Sequence, residues 1–204
     1  MKKVTMRFGL IVALSLAAAM LFFACASAPK EEIAATQAAI QASQTDDVKT
    51  YAPESLNAAT DAMSKATAEV QTQDNKFALS RDYKAASDLL KQAKDLAAKA
   101  QTDAQANKAK TKADAETTIA GLTPLLDEAK KALATAPKGK DTKADLEAMQ
   151  NDLKSAEEAA TAASTAMSQE KYMDALGQAN TAKTKASGIV DQVKAAKEKM
   201  MGKK

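Results

Sequence analysis

Apolar side chains, many of them alanine, recur along much of this chain at alternating three- and four-residue intervals. No other feature restricts the fold so strongly. One stripe runs through Leu146, Met149, Leu153, Ala156, Ala160, Ala163 and Met167. After Ser168–Lys171 it resumes at Tyr172 and passes through Ala175, Ala179, Ala182, Ala186, Ile189, Val193, Ala196 and Met200. Such spacing keeps one face of an α-helix apolar and forms the seam along which helix packs on helix. About a quarter of the residues are alanine, the best helix former. β-Branched and aromatic residues do not recur at period two, so strands are not expected. The pattern predicts an all-α protein of elongated antiparallel helical hairpins, a coiled-coil-like bundle of four to six helices.

Folding the chain back near residue 170 sets Met167 beside Tyr172, Ala160 beside Ala179, Leu153 beside Ala186 and Leu146 beside Val193. Matching registers in opposite directions are what an αα-hairpin requires. An earlier segment repeats the arrangement, with Leu56, Ala59, Met63, Ala66, Val70, Gln73 and Phe77 on one stripe. Its return stripe is Tyr83, Ala86, Leu90, Ala93, Ala97, Ala100 and Ala104. A turn near residue 80 pairs Phe77 with Tyr83, Val70 with Leu90 and Leu56 with Ala104. Asp82–Ala86 then superposes on Lys171–Ala175, which predicts a duplicated hairpin. Alanine buries little area at roughly 25 cal/mol per Å², so such a bundle needs many layers. It also lets helix axes approach closely.

The punctuation divides the chain further. Pro53 suits a first helical turn, where a missing N–H costs nothing, and Ser80 is placed to cap the helix carrying Tyr83. Ala136–Gly139 ends a helix, and Asp141 or Thr142 starts the next. Pro124 either caps a new helix or kinks one, while Ile119, Leu122, Leu126, Ala129 and Leu133 keep their stripe across it. The expected organisation is a signal peptide over 1–24 and an anchored N-terminal segment with linker over 25–50. A first hairpin follows over 51–106, a connecting helical segment over 107–140 and a second hairpin over 141–204. Within 25–50, Ile33, Ala35, Ala39 and Ile40 suggest one short helix, and Gln44 to Thr50 reads as linker.

Met1 to Arg7 is basic, Phe8 to Ala24 is apolar apart from Ser15, and the sole cysteine, Cys25, follows at once. This order describes an export signal. With no partner for a disulfide within the chain, Cys25 is the expected acceptor of lipid, a membrane anchor. Against the lipobox pattern of bacterial lipoproteins, Phe22 and Phe23 depart and Ala24 conforms. A cut after Ala26, leaving Ser27 first, is the rival; an uncleaved anchor is disfavoured by an apolar run at the short edge of a membrane span. Lys2, Lys3 and Arg7 account for the whole excess of 29 basic over 26 acidic residues, so a chain beginning at Cys25 has no net charge. A balanced surface argues against nucleic acid, which needs clustered cations.

Tyr51–Glu54, Arg81–Ala86 and Leu89–Ala93 resemble the small Ala-rich bacterial lipoproteins grouped as a domain of unknown function. In that family an Ala-Pro-Glu start pairs with an Arg-Asp-Tyr-x-x-Ala return helix. The likeness covers about residues 51–104 and, without the Ala-Pro-Glu start, 142–190. It implies an exported protein lipid-anchored at Cys25, most simply to the outer membrane facing the periplasm, and brings no catalytic residue. Tyr172, Ala175 and Ala182 are similar to the second helix of a tetratricopeptide unit. Ala159, Ala162 and Ala166 stand where that repeat wants large residues, and the period is far from its usual length, which argues against it.

No chemistry-bearing constellation stands out. The acidic pairs Glu31–Glu32, Asp46–Asp47 and Glu157–Glu158 splay about 100° apart on a helix and do not converge. With no histidine and its one cysteine assigned to the anchor, the chain lacks the usual nucleophile–base and zinc sets. Met149, Met167 and Met200 fall on seams, while Met173 and Met201 have no assigned place. The basic end, up to Lys204, suits a helix C-terminus, or by analogy a lysine joined to peptidoglycan. The expectation is a non-enzymatic envelope lipoprotein with a structural or interaction role, without cofactor, metal or small-molecule substrate. Its partners would be the membrane, and a protein or a second copy through the helices. The alternatives are a peptide- or protein-binding helical adaptor and an amphipathic lipid-binding protein.

Overall fold

The computed structural model describes residues 27–139 and 142–201. The expected signal segment 1–24, Cys25, Asp141 and Lys204 lie outside the described residues. Six helices occur within them: α1 (Lys30–Ser43), α2 (Asp46–Tyr51), α3 (Pro53–Asp74), α4 (Lys84–Ala134), α5 (Lys143–Ser168) and α6 (Tyr172–Met201). A 3-10 turn at Ala78–Ser80 joins α3 to α4, and no strand is present among the described residues. The protein is all-α. Its chain divides into two compact units at Gln105 and Ala106, and α4 contributes its N-terminal part to the first and its C-terminal part to the second.

In the first unit α1, α3 and the start of α4 share one core. Ile40 of α1 meets Ala59, Ala62, Met63 and Ala66 of α3 and Leu90, Ala93 and Ala97 of α4. The expected pairing of Leu56 with Ala104 is found: both lie in one cluster with Val48 and Ala52. Val70, by contrast, packs with Tyr83 and Ala86, about a turn short of the expected Leu90. The 44–50 stretch is not a linker. Thr45 Oγ1 accepts the Val48 N–H at 3.3 Å, Asp46 and Asp47 sit in the favourable first turn, and α2 forms to bury Val48. Pro53 occupies the first turn of α3, as its missing N–H allows. The buried hydroxyls of Thr36 and Ser43 donate to the carbonyls of Leu90 (3.4 Å) and Ile40 (2.7 Å).

The second unit is built from three helices. Leu125, Leu126, Ala129 and Leu133 of α4 pack with Leu146, Met149, Leu153 and Ala156 of α5 and with Ala186, Ile189 and Val193 of α6. Leu122 joins Ala159, Ala160, Ala163, Ala179 and Ala182. The clusters therefore bring together Ala160 and Ala179, Leu153 and Ala186, and Leu146 and Val193, in the predicted register. Residues 107–134, expected to connect two hairpins, are instead the third helix of this unit. Pro124 lies inside α4, and the Leu122–Leu126–Ala129 stripe is held across it. The α5 stripe is wider than a two-helix seam because it serves two neighbours, so Ala159 is buried as well. Met200 is not a seam residue; it is exposed, beyond the last buried layer at Val193.

Candidate functional site

The first described residues, Ser27–Pro29, lead straight into α1: Pro29 O accepts the Ile33 N–H at 2.9 Å. Ala28 packs against Val70, Tyr83 and Ala86, so the chain enters the first unit at its α3–α4 turn. Ser27, Pro29, Asp74, Arg81 and Tyr83 line an open recess there of about 790 Å³. Cys25 lies outside the described residues, two positions before Ser27.

The Arg81-Asp82-Tyr83 segment fastens this turn. Arg81 Nη2 donates to Asp74 O at 2.8 Å and Nε to Lys76 O at 3.1 Å, satisfying carbonyls at the end of α3. The Asp82 N–H donates to Gln73 Oε1 at 3.1 Å, and Asp82 Oδ1 accepts the Lys84 N–H at 2.9 Å. Asp82, rather than the expected Ser80, thus starts α4. Tyr83 is buried and its hydroxyl donates to Asp74 Oδ1. That bond to a carboxylate, helped by burial and the Asp74 charge, raises the phenol above its usual range, while Arg81 opposes. Tyr83 is therefore a locked donor, and Arg81, Asp82 and Tyr83 each have a structural use here.

Phe77 does not pair with Tyr83. It follows the C-terminus of α3 and is 73% exposed, and Leu79 in the 3-10 turn is 61% exposed. Sequence reading placed Phe77 on the seam by extending the stripe one step too far. The Asp74-Asn75-Lys76 run just before it is the available signal that the helix has ended.

Other candidate groups stay apart. Glu31 and Glu32 sit in the first turn of α1, and Asp46 and Asp47 in that of α2. Glu157 pairs with Lys130 at 2.7 Å, and Glu158 lies 3.9 Å from Lys154. The Glu157 partner raises the Lys130 ammonium above its ordinary value. Asp103 is pulled below the usual carboxylate range by Lys99 and then by the Ser55 hydroxyl, both bonded to it. No group of three or more potential metal-ligating side chains occurs among the described residues. No helix among them is long and apolar enough to cross a membrane. A groove between α1 and α3, lined by Gln37, Gln41, Thr60, Met63 and Thr67, holds no convergent acid, base or nucleophile. Met149 is buried in the second core, Met167 is half-buried, and Met173 and Met201 are exposed. No protein-family model, curated protein or solved structure matches this chain.

Proposed function

We propose that this is a bacterial cell-envelope lipoprotein, exported by its N-terminal signal, lipid-anchored through Cys25, and structural or docking rather than catalytic in role. The observation that carries this reading is the order basic residues, apolar run Phe8–Ala24 and lone Cys25, a few positions before the first helix at Lys30. Two or three acyl chains hold such a protein stably, since each buried CH₂ contributes about 0.8 kcal/mol. The likeness to the Ala-rich lipoproteins of unknown function supports the same address, and the outer membrane facing the periplasm is its simplest form. Helices whose seams are mainly alanine, and a chain without histidine, favour scaffolding over chemistry.

Intact mass of the mature protein tests the anchor. The expected mass is that of a chain beginning at Cys25 with added diacylglycerol and acyl groups. A chain beginning at unmodified Ser27 overturns it. Fatty-acid labelling that persists in Cys25→Ser would do the same.

A further inference from the structure

We propose that the α3–α4 turn of the first unit is a membrane-contact element: Phe77 and Leu79 seat in the interface of the bilayer that holds the Cys25 lipid. The proposal rests on the anchoring reading above and specifies the surface that lies on that bilayer. Five large apolar residues are exposed among the described residues, and Phe77 and Leu79 are the two that sit together at a turn. The other three are methionines, at the start and end of α6.

The position of Ser27 and Ala28 bears on what can cover this turn. Ala28 packs on Val70, Tyr83 and Ala86, the layer next to the turn, and Ser27 and Arg81 line the same recess. Arg81 in turn is bonded to the carbonyls of Asp74 and Lys76, the residue before Phe77. Only Ala26 stands between Cys25 and Ser27, a reach of at most about 7 Å. A lipid held that close presents the bilayer to this end at high effective concentration, which no free partner matches. A phenyl ring and a leucine with Lys76 and Arg81 alongside suit a headgroup–acyl boundary, where apolar groups bury and cations remain wet.

The turn is also already ordered for insertion. The Ser80 N–H donates to Phe77 O at 2.8 Å, closing the 3-10 turn. Arg81 and the Tyr83–Asp74 bond fasten its far side, so little conformational freedom remains to be lost on seating. Two apolar side chains give too little area to hold the protein unaided; they orient an anchored body.

The chain has no tryptophan, so Phe77→Trp provides a single fluorophore. The mature lipidated variant is reconstituted into vesicles of phosphatidylethanolamine and phosphatidylglycerol, with or without brominated acyl chains. Its emission should shift to the blue and lose about half its intensity to the bromines, a shallow depth typical of interfacial segments. Lys65→Trp, on an exposed face of α3, is the reference and should remain unquenched. Adding Leu79→Ser to Phe77→Trp should reduce the quenching. Flotation and intact mass of the same samples report the anchor separately. Protein that floats with its acyl mass but shows no more quenching at 77 than at 65 overturns the membrane contact and leaves the anchor standing. Protein without acyl mass that stays with the unbound fraction overturns both.

Discussion

The first unit carries its large seam residues near the turn that joins its last two helices, and the second carries them at the opposite end. Along the last helix of each unit, seven buried positions coincide at the 89-residue spacing: Tyr83 with Tyr172, Ala86 with Ala175, Leu90 with Ala179, Ala93 with Ala182, Ala97 with Ala186, Ala100 with Ile189 and Ala104 with Val193. The penultimate helices follow the same trend, with Val70 and Gln73 near the turn of the first unit where the second has Ala160 and Ala163. The first unit fills its alanine-poor-in-volume end with α2, whose Val48 and following Ala52 pack over Leu56, Ala100 and Ala104. In the second unit Ile189, Val193 and Met149 fill that end themselves. One burial pattern thus tolerates two distributions of volume, because close packing constrains the sum along the bundle more than any one layer.

The turns differ in the same spirit. Side chains close the first: those of Arg81, Gln73 and Tyr83 all reach across it. Backbone closes the second. Glu170 takes a left-handed conformation at φ 59°, and the Lys171 N–H donates to Ala166 O at 3.0 Å. These bonds end α5 in the Schellman manner. Tyr172 is met instead by Lys112, whose Nζ lies 5.8 Å from the ring centre.

The largest expected effect tests whether Leu90 and Ile189 serve equal roles at opposite ends. Leu90→Ala and Ile189→Ala should each cost about 2–5 kcal/mol in urea denaturation, since both side chains are almost wholly buried. Hydrogen exchange should localise the first loss to residues 56–104 and the second to 122–193. Uniform acceleration in both variants would break the comparison.

Next is the close-packed alanine layer. Ala93→Leu and Ala182→Leu should both destabilise by about 1–3 kcal/mol, because neither site has room. Ala160→Leu should cost less than either, as Ala160 is only partly buried. Unchanged melting temperatures for Ala93→Leu and Ala182→Leu would remove the basis for a tight seam in either unit.

The two tyrosines sharpen the contrast between turns. Tyr83→Phe should lower stability at neutral pH through the lost bond to Asp74, and Tyr172→Phe should lower it much less. The folded phenol of Tyr83 titrates above its ordinary value of 10.0. Its contribution is therefore complete below that pH and declines as pH rises through the folded value. The difference between wild type and Tyr83→Phe should shrink in alkali.

The smallest effect concerns Glu170. Glu170→Gly should stabilise by about 0.5–1 kcal/mol, because glycine occupies the left-handed region without the Cβ clash. A loss of stability would show that the glutamate side chain holds the turn.

Much of this was legible in the residues. Leu146 to Val193 folds back in the predicted register, and Tyr172, Ala175, Ala179 and Ala182 are all buried as their spacing required. Val48 was misread because a six-residue helix is too short to show a period; its Thr45 cap and acidic first turn were the usable signs. The 107–118 stretch was read as a connection for a similar reason. Between Ala104 and Leu122 the fully buried position is Ala115, and a single alanine makes no visible stripe. For the candidate site, the basic-then-apolar order before Cys25 was plain in the sequence, but the exposed pair Phe77 and Leu79 near Ser27 and Ala28 was not.

Helix content and seam spacing were determined by the sequence alone, because propensity and the 3.6-residue period act within a few turns of chain. Which helices share a core was decided only by tertiary structure. A stripe records that a face is buried but not how many neighbours cover it, so two hairpins and two larger helical units look alike until α1 and the C-terminal part of α4 are in place. The same holds for the ends. Phe77 continues the stripe of α3 on paper, yet α3 stops at Asp74, Arg81 bonds the carbonyls of Asp74 and Lys76, and the ring is left to solvent.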